Sequence, residues 1–297
     1  MTITKNEITV GGRKVSILRD GPVTGIPALL VHGGRAGITP IASGAHLWDK
    51  VMPLLARGRH VIALDLPGCG GSELGAADVL SADKLSQHLV AVLDALSIDG
   101  VHFVGHDLGG YLGLWLAISA PQRIRSLSIV ASGASTPNGD SLNDILFDPV
   151  PMPLWTRVSQ LWAFERLSYS HGHIDEALIA ASVAAGIGKA HQDAVAAMQT
   201  ESARLRNYGV NALKGPIWEA LRGKGLSIPT QLVWASNDVT APREGGYVLF
   251  KIIAENQKAT MFHLINRSGS FPFREQPAEF AQVVASFQDG IDLERAA

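Results

Sequence analysis

The chain has 297 residues, a formal net charge of −2, 46% hydrophobic residues and 18% charged ones. That balance excludes a disordered chain and leaves no long-range field to draw nucleic acid or an anionic membrane, so the expected partner is a small molecule. A single cysteine, Cys69, excludes an internal disulfide and a thiolate metal cluster.

The length suits one α/β domain with an inserted lid, and leaves a homodimer open as the assembly. Residues 1–10 are polar and mixed in charge, without a basic segment followed by an apolar one, and no apolar run is long enough to span a bilayer. The expected location is the cytoplasm. Short apolar runs bounded by turn residues predict strands at 14–18, 27–31, 60–65, 101–105, 125–131, 230–235 and 259–265. The first two, linked through Gly11-Gly12 and Gly21-Pro22, predict an antiparallel hairpin. Helical patterns follow at 47–56, 85–96, 108–120, 245–255 and 277–287, and the alternation predicts a mostly parallel sheet with helices on both faces. Between 132 and 228 the strand signal stops. Alanine-rich windows at 176–185 and 191–204, with prolines at 149, 151 and 153, predict a helical cap inserted after the sixth strand. The division expected is a core of 1–134 and 226–297 and a cap of 135–225. Ligands of open α/β sheets bind beyond the carboxyl ends of the strands, so cap and strand ends should enclose one pocket.

Val104-Gly105-His106-Asp107-Leu108-Gly109-Gly110 lies between a strand and a helix and has the form of a nucleophile elbow, with aspartate at the reacting position. An aspartate is ionised near neutrality and attacks carbon without a base, whereas a serine hydroxyl needs one. The glycines at 105, 109 and 110 suit a strained turn packed against its neighbours, although an acid at a helix N-terminus is also an ordinary stabilising feature. His32-Gly33-Gly34 follows the strand at 27–31, where a backbone N–H, with that of Leu108, can bind a developing oxyanion. Asp238 follows the strand at 230–235 by three residues, a place from which an acid orients a base.

In this order the H-G-G turn, the G-x-D-x-G elbow, Asp238 and the segment Asn266-Arg267-Ser268-Gly269-Ser270-Phe271-Pro272 resemble the α/β-hydrolase superfamily over nearly the whole chain. Residues 32–37 and Phe273-Arg274-Glu275-Gln276-Pro277 are most similar to carbon–carbon bond hydrolases acting on ring-cleavage products, whose elbow carries serine. The Gly-His-Asp elbow resembles epoxide hydrolases and haloalkane dehalogenases instead. The latter usually have tryptophan after the nucleophile, where this chain has Leu108. Epoxide hydrolases protonate the opening oxygen with cap tyrosines, which makes Tyr169 and Tyr208 candidates.

Ser270 stands where the resemblance leads one to expect histidine. A hydroxyl does not take a proton from water as imidazole does, so turnover through an ester at Asp107 should be slow. Three arrangements follow. Asp107 acts as a general acid or base in an apolar pocket, allowing rearrangement, cyclisation, elimination or hydration without an ester; His32 replaces the missing base; or residue 270 carries an inactivating substitution or the protein binds without turning over. His102, His106 and His263 read as packed histidines.

The remaining candidates lie mainly in the cap. Trp155 and Trp162, with Met152 and Phe164, suit a wide apolar cavity for an aromatic or polyketide-like ligand, and equally suit packing of the cap onto the sheet. Arg157, Arg166, Arg204 and Arg206 are candidates for a substrate carboxylate or for a solvated helix face. His171-Gly172-His173 with Asp175 lacks the spaced partner of a metal site, and Gly68-Cys69-Gly70-Gly71-Ser72 lacks the lysine of a phosphate loop. No metal and no cofactor are expected. The overall expectation is a hydrolase of an epoxide or a carbon–carbon bond working through Asp107, with Asp238 and Ser270 as the acid–base arm and a non-hydrolytic catalyst as the alternative.

Overall fold

The computed structural model describes residues 2–75, 80–137, 149–199 and 209–296. Eight strands form one sheet: β1 (Thr4–Val10), β2 (Arg13–Asp20), β3 (Ala28–Val31), β4 (Val61–Leu64), β5 (Val101–His106), β6 (Ile124–Val130), β7 (Thr230–Ala235) and β8 (Thr260–Ile265), in the order β1-β2-β4-β3-β5-β6-β7-β8. The pairs β1–β2 and β2–β4 are antiparallel and the other five are parallel. The sheet is therefore mostly parallel, as the strand–helix alternation predicts.

The hairpin differs from its expected position. It joins β1 to β2 across Gly11 and Gly12, both at positive φ (57° and 77°), the backbone a two-residue hairpin turn requires. Strand β1 escapes an apolar-run reading because it is an edge strand whose side chains are nearly all exposed. The run at 27–31 pairs with β4 and β5, and β4 stands between it and β2. The helix expected at 47–56 divides into a 3-10 turn, Ala45–Trp48, and one short helix, α1 (Met52–Leu55).

The longer helices are α2 (Ala82–Ala95), α3 (Leu108–Ser119), α4 (Arg157–Leu167), α5 (Glu176–Ile187), α6 (Lys189–Ala197), α7 (Val210–Gly223) and α8 (Arg243–Asn256); a short α9 (Pro272–Glu275) leads into α10 (Pro277–Ala296). Strands β3, β4, β5 and β7 are buried along their whole length, which only a sheet covered on both faces allows. Alternation sorts their side chains. Leu29, Val31, Ile62, Phe103 and Leu232 pack with α2, α3, α7 and α8, whereas Ala28, Leu30, Val104 and Val233 pack with Trp48, Phe164, Phe273 and Phe280 on the other face. Helices α4 to α7 all lie between β6 and β7 in sequence. Ile217 and Leu221 of α7 belong to the same core cluster as α3, so the boundary read at 225 falls after a helix that packs with the sheet.

Candidate active site

The elbow is built by close approach. Strand β5 ends at His106, Asp107 takes φ 45° and ψ −113°, and α3 begins at Leu108. A Cβ on Gly105 would lie 2.3 Å from the Gly109 backbone, and one on Gly109 would lie 2.3 Å from the Val31 carbonyl oxygen. Only glycine permits those contacts. The Asp107 backbone is anchored on both sides: its N–H donates to Val130 O at 3.1 Å, and its carbonyl accepts from the Ser132 hydroxyl at 2.6 Å and the Tyr111 N–H at 3.1 Å. The strained conformation is thereby fixed by its neighbours.

The Asp107 side chain is half-buried. Its Oδ2 accepts the Gly34 N–H at 3.1 Å. Gly34 stands at φ 85°, and a Cβ on Gly33 would come within 2.5 Å of the Asp107 Cβ, so the H-G-G turn lies directly against Asp107. Leu108 is fully buried, and its N–H heads α3, where no intrahelical acceptor exists.

Asp238 and Ser270 meet, with Thr240 as a third member. Oδ1 of Asp238 accepts from the Ser270 hydroxyl at 2.6 Å, from the Thr240 hydroxyl at 2.8 Å and from the Thr240 N–H at 2.8 Å. Oδ2 is buried without a hydrogen-bond partner. The cluster joins the elbow through His106, whose Nε2–H donates to the Ser270 carbonyl at 2.8 Å. Burial lowers the His106 pKa, against the pull of the Asp107 and Asp238 charges, so the ring is neutral and its Nδ1 keeps a bare lone pair, itself without a partner. Ser270 is held from behind: its N–H donates to Leu167 O at 2.8 Å, while the Glu275 carboxylate accepts the N–H groups of Gly269 (2.8 Å), Tyr169 and Ser170 (both 2.9 Å).

His32 is not a replacement base. Its ring is wholly buried, Nδ1 donates to Gly33 O at 2.7 Å, and Nε2 accepts the Leu66 N–H at 3.0 Å. Burial lowers its pKa. Both nitrogens are spent on supporting the turn. Trp155 is buried edge-on against His191 at 4.5 Å and clusters with Ala42 and Ala185, a packing role. Trp162 packs partly buried against the core and carries the Arg166 guanidinium 5.4 Å from its ring centroid. Tyr169 is 52% exposed, and its N–H reaches the Glu275 carboxylate. Tyr208, Arg204 and Arg206 lie outside the described residues. Arg157 pairs with Glu176 at the surface. His173 bonds Ser168, and Asp175 caps α5 through Leu178 N–H while pairing with Lys50. The thiol of Cys69 is pushed up to about 12 by burial and is inert.

Thr240, Ser132 and Glu275 are the site residues that sequence reading left out. An Asp-x-Thr spacing signals the turn that brings Thr240 back to Asp238, but nothing in the sequence announces the others. Asp65, which precedes the glycine-rich loop, is structural, its carboxylate accepting the N–H groups of Ala45 (2.7 Å) and Gly71 (2.9 Å). A depression of about 580 Å³ bordered by Asp94, Ser97, Arg123 and Arg125 lies at the amino ends of β5 and β6, the opposite end of the sheet from Asp107.

Residues 27–273 match the family model described as the alpha/beta hydrolase fold. The chain is 29% identical over 282 residues to a 2-hydroxymuconate semialdehyde hydrolase of Pseudomonas sp. (strain CF600), covering 95% of this chain and 92% of that protein. It is 30% identical over 264 residues to a 2-hydroxy-6-oxo-2,4-heptadienoate hydrolase of Pseudomonas putida (strain F1), covering 89% of each. Among solved structures, a variant of the meta-cleavage product hydrolase CumD from Pseudomonas fluorescens IP01 superposes with a TM-score of 0.76 at 20% identity, over 96% of this chain and 97% of that one. The epoxide hydrolase CorEH gives 0.69 at 18% identity, over 98% and 100%. At those identities the two structures speak for the fold alone. Sheet order, glycine-built elbow and family match agree, and the chain belongs to the α/β-hydrolase family as an enzyme of the hydrolase class.

Proposed function

We propose that the protein hydrolyses a carbon–carbon bond beside a carbonyl in a small, largely apolar, aromatic-derived substrate, with Asp107 as the reacting carboxylate beneath a cap formed by the helices after β6. Two curated relatives spanning 95% and 89% of the chain carry names of that chemistry, which favours it over epoxide opening, for which the likeness is one of fold. The observation that carries the reading is the 3.1 Å contact of Gly34 N–H with Asp107 Oδ2, which sets an acid at the place where such folds polarise a carbonyl oxygen.

Asp238 holds the Ser270 hydroxyl in place of the imidazole that would hydrolyse an ester at Asp107, so the carboxylate serves as general base. It removes a proton from water; the hydroxide oxygen bonds to the carbonyl carbon, and the oxyanion is met by the Leu108 N–H. Collapse restores the carbonyl and breaks the carbon–carbon bond. The departing carbon keeps the electron pair and takes the proton back from Asp107, leaving a carboxylic acid and a shortened fragment. Asp238 and Ser270 hold the floor of the site.

Incubation with 2-hydroxy-6-oxo-2,4-heptadienoate in oxygen-18 water is the test. One labelled oxygen appears in the acid product, and Asp107→Asn lowers turnover about a thousandfold. The closed Asp238–Ser270–Thr240 bonds also favour a second reading, proton-shuttle chemistry without water addition. Its mark is a product of unchanged mass; substrate recovered intact rejects both.

A further inference from the structure

Nearly every polar hydrogen around Asp107 is already committed. The Gly34 N–H is given to Asp107 Oδ2, the hydroxyls of Thr240 and Ser270 to Asp238 Oδ1, the Ser132 hydroxyl to the Asp107 carbonyl, and the His106 Nε2–H to the Ser270 carbonyl. The Leu108 amide is the exception. Acceptors, by contrast, are left over: Asp238 Oδ2 and His106 Nδ1 are buried without partners, and of the half-buried Asp107 carboxylate only Oδ2 takes a hydrogen bond among the described residues, from the Gly34 N–H. Nor does any described lysine or arginine pair with either carboxylate. Orphaned buried acceptors are rare in folded proteins and signal a missing donor.

We propose that the site is selective for a neutral O–H donor, a phenol or an enol, presented to Asp107, and that it rejects a carboxylate there. This rests on Asp107 being the reacting group and adds the chemical class of what it meets. A neutral hydroxyl given to a carboxylate forms a short, charge-assisted bond, whereas an anion faces two like charges with no cation among the described residues paired to either. The hydroxyl stays protonated when bound, because two neighbouring negative charges oppose its ionisation.

Three probes differing at one substituent test this: 4-nitrophenol, 4-nitroanisole and 4-nitrobenzoate, titrated at pH 7 against tryptophan fluorescence, with the visible phenolate band reporting charge. The phenol binds about tenfold tighter than the ether or the benzoate, the difference one charge-assisted bond makes, and its phenolate band falls on mixing. In Asp107→Asn, with folding checked by circular dichroism, the preference shrinks to within about threefold as that bond loses its charge. Equal binding of phenol and ether, growth of the phenolate band, tightest binding of the benzoate, or no saturable binding of any probe overturns the proposal. The outcome is separable from the hydrolysis assay. A phenol preference without labelled product withdraws only the reaction, and labelled product without the preference withdraws only the ligand class.

Discussion

Ser270 Oγ lies 2.6 Å from Asp238 Oδ1 and closes the acid arm on itself, so the acid that orients an imidazole in a hydrolytic triad here orients a hydroxyl. Restoring the ring tests what that costs. Ser270→His sets an imidazole against Asp238 and beside Asp107; hydrolytic turnover rises about a hundredfold, the worth of a positioned general base, and a new limb appears in the pH–rate profile near the ordinary histidine pKa. Unchanged turnover would mean that residue 270 does not act on the water. Asp107 is legible in the G-x-D-x-G elbow and Asp238 in its place three residues after a strand, whereas Ser270 stands out only through the resemblance, which leads one to expect histidine there. His32 misleads for the opposite reason: the group that occupies its Nε2 is the Leu66 N–H, 34 residues away, and no local pattern reveals it. Glu275 stays hidden in the same way, since its three backbone donors come from two separate segments.

At the level of elements, the elbow is held by backbone packed against backbone. Gly109→Ala would drive a methyl to 2.3 Å from the Val31 carbonyl, backbone against backbone, where no rotamer change relieves it. The expected result is a loss of about 1–3 kcal/mol in urea unfolding, together with lowered turnover because Asp107 shifts against Gly33 and Gly34. An active variant of wild-type stability would show that the contact relaxes freely. The parallel strands are readable as continuous apolar runs because both faces are covered, whereas β1 exposes nearly all its side chains and offers no run at all. Helix α7 reads as cap because it lies in the stretch of chain without a strand signal, and only three of its residues, Val210, Ile217 and Leu221, seat it in the core.

For the molecule as a whole, buried histidines set the response to acid. Burial brings His46, His102 and His191 down to about 4 from 6.5. A depressed folded-state value means that the unfolded chain binds the protons first, so the stability these groups allow above about 6.5 is lost as pH falls from there toward 4. Urea midpoints should therefore drop steadily between neutral and mildly acidic buffer. His191 is the sharpest case, buried with neither ring nitrogen hydrogen-bonded. Replacing it with leucine stabilises the protein by about 1–2 kcal/mol at neutrality, and the gain widens in acid because one proton-uptake site is gone; a gain that shrinks in acid would contradict this. The backbone bond from Ser270 to Leu167 and the Glu275 carboxylate shared between Gly269 and residues 169–170 have a mechanical result. The end of α4 and the chemistry's floor are geared together, so a tilt of that helix would pull the serine off its acid, and access and reactivity would rise and fall in step.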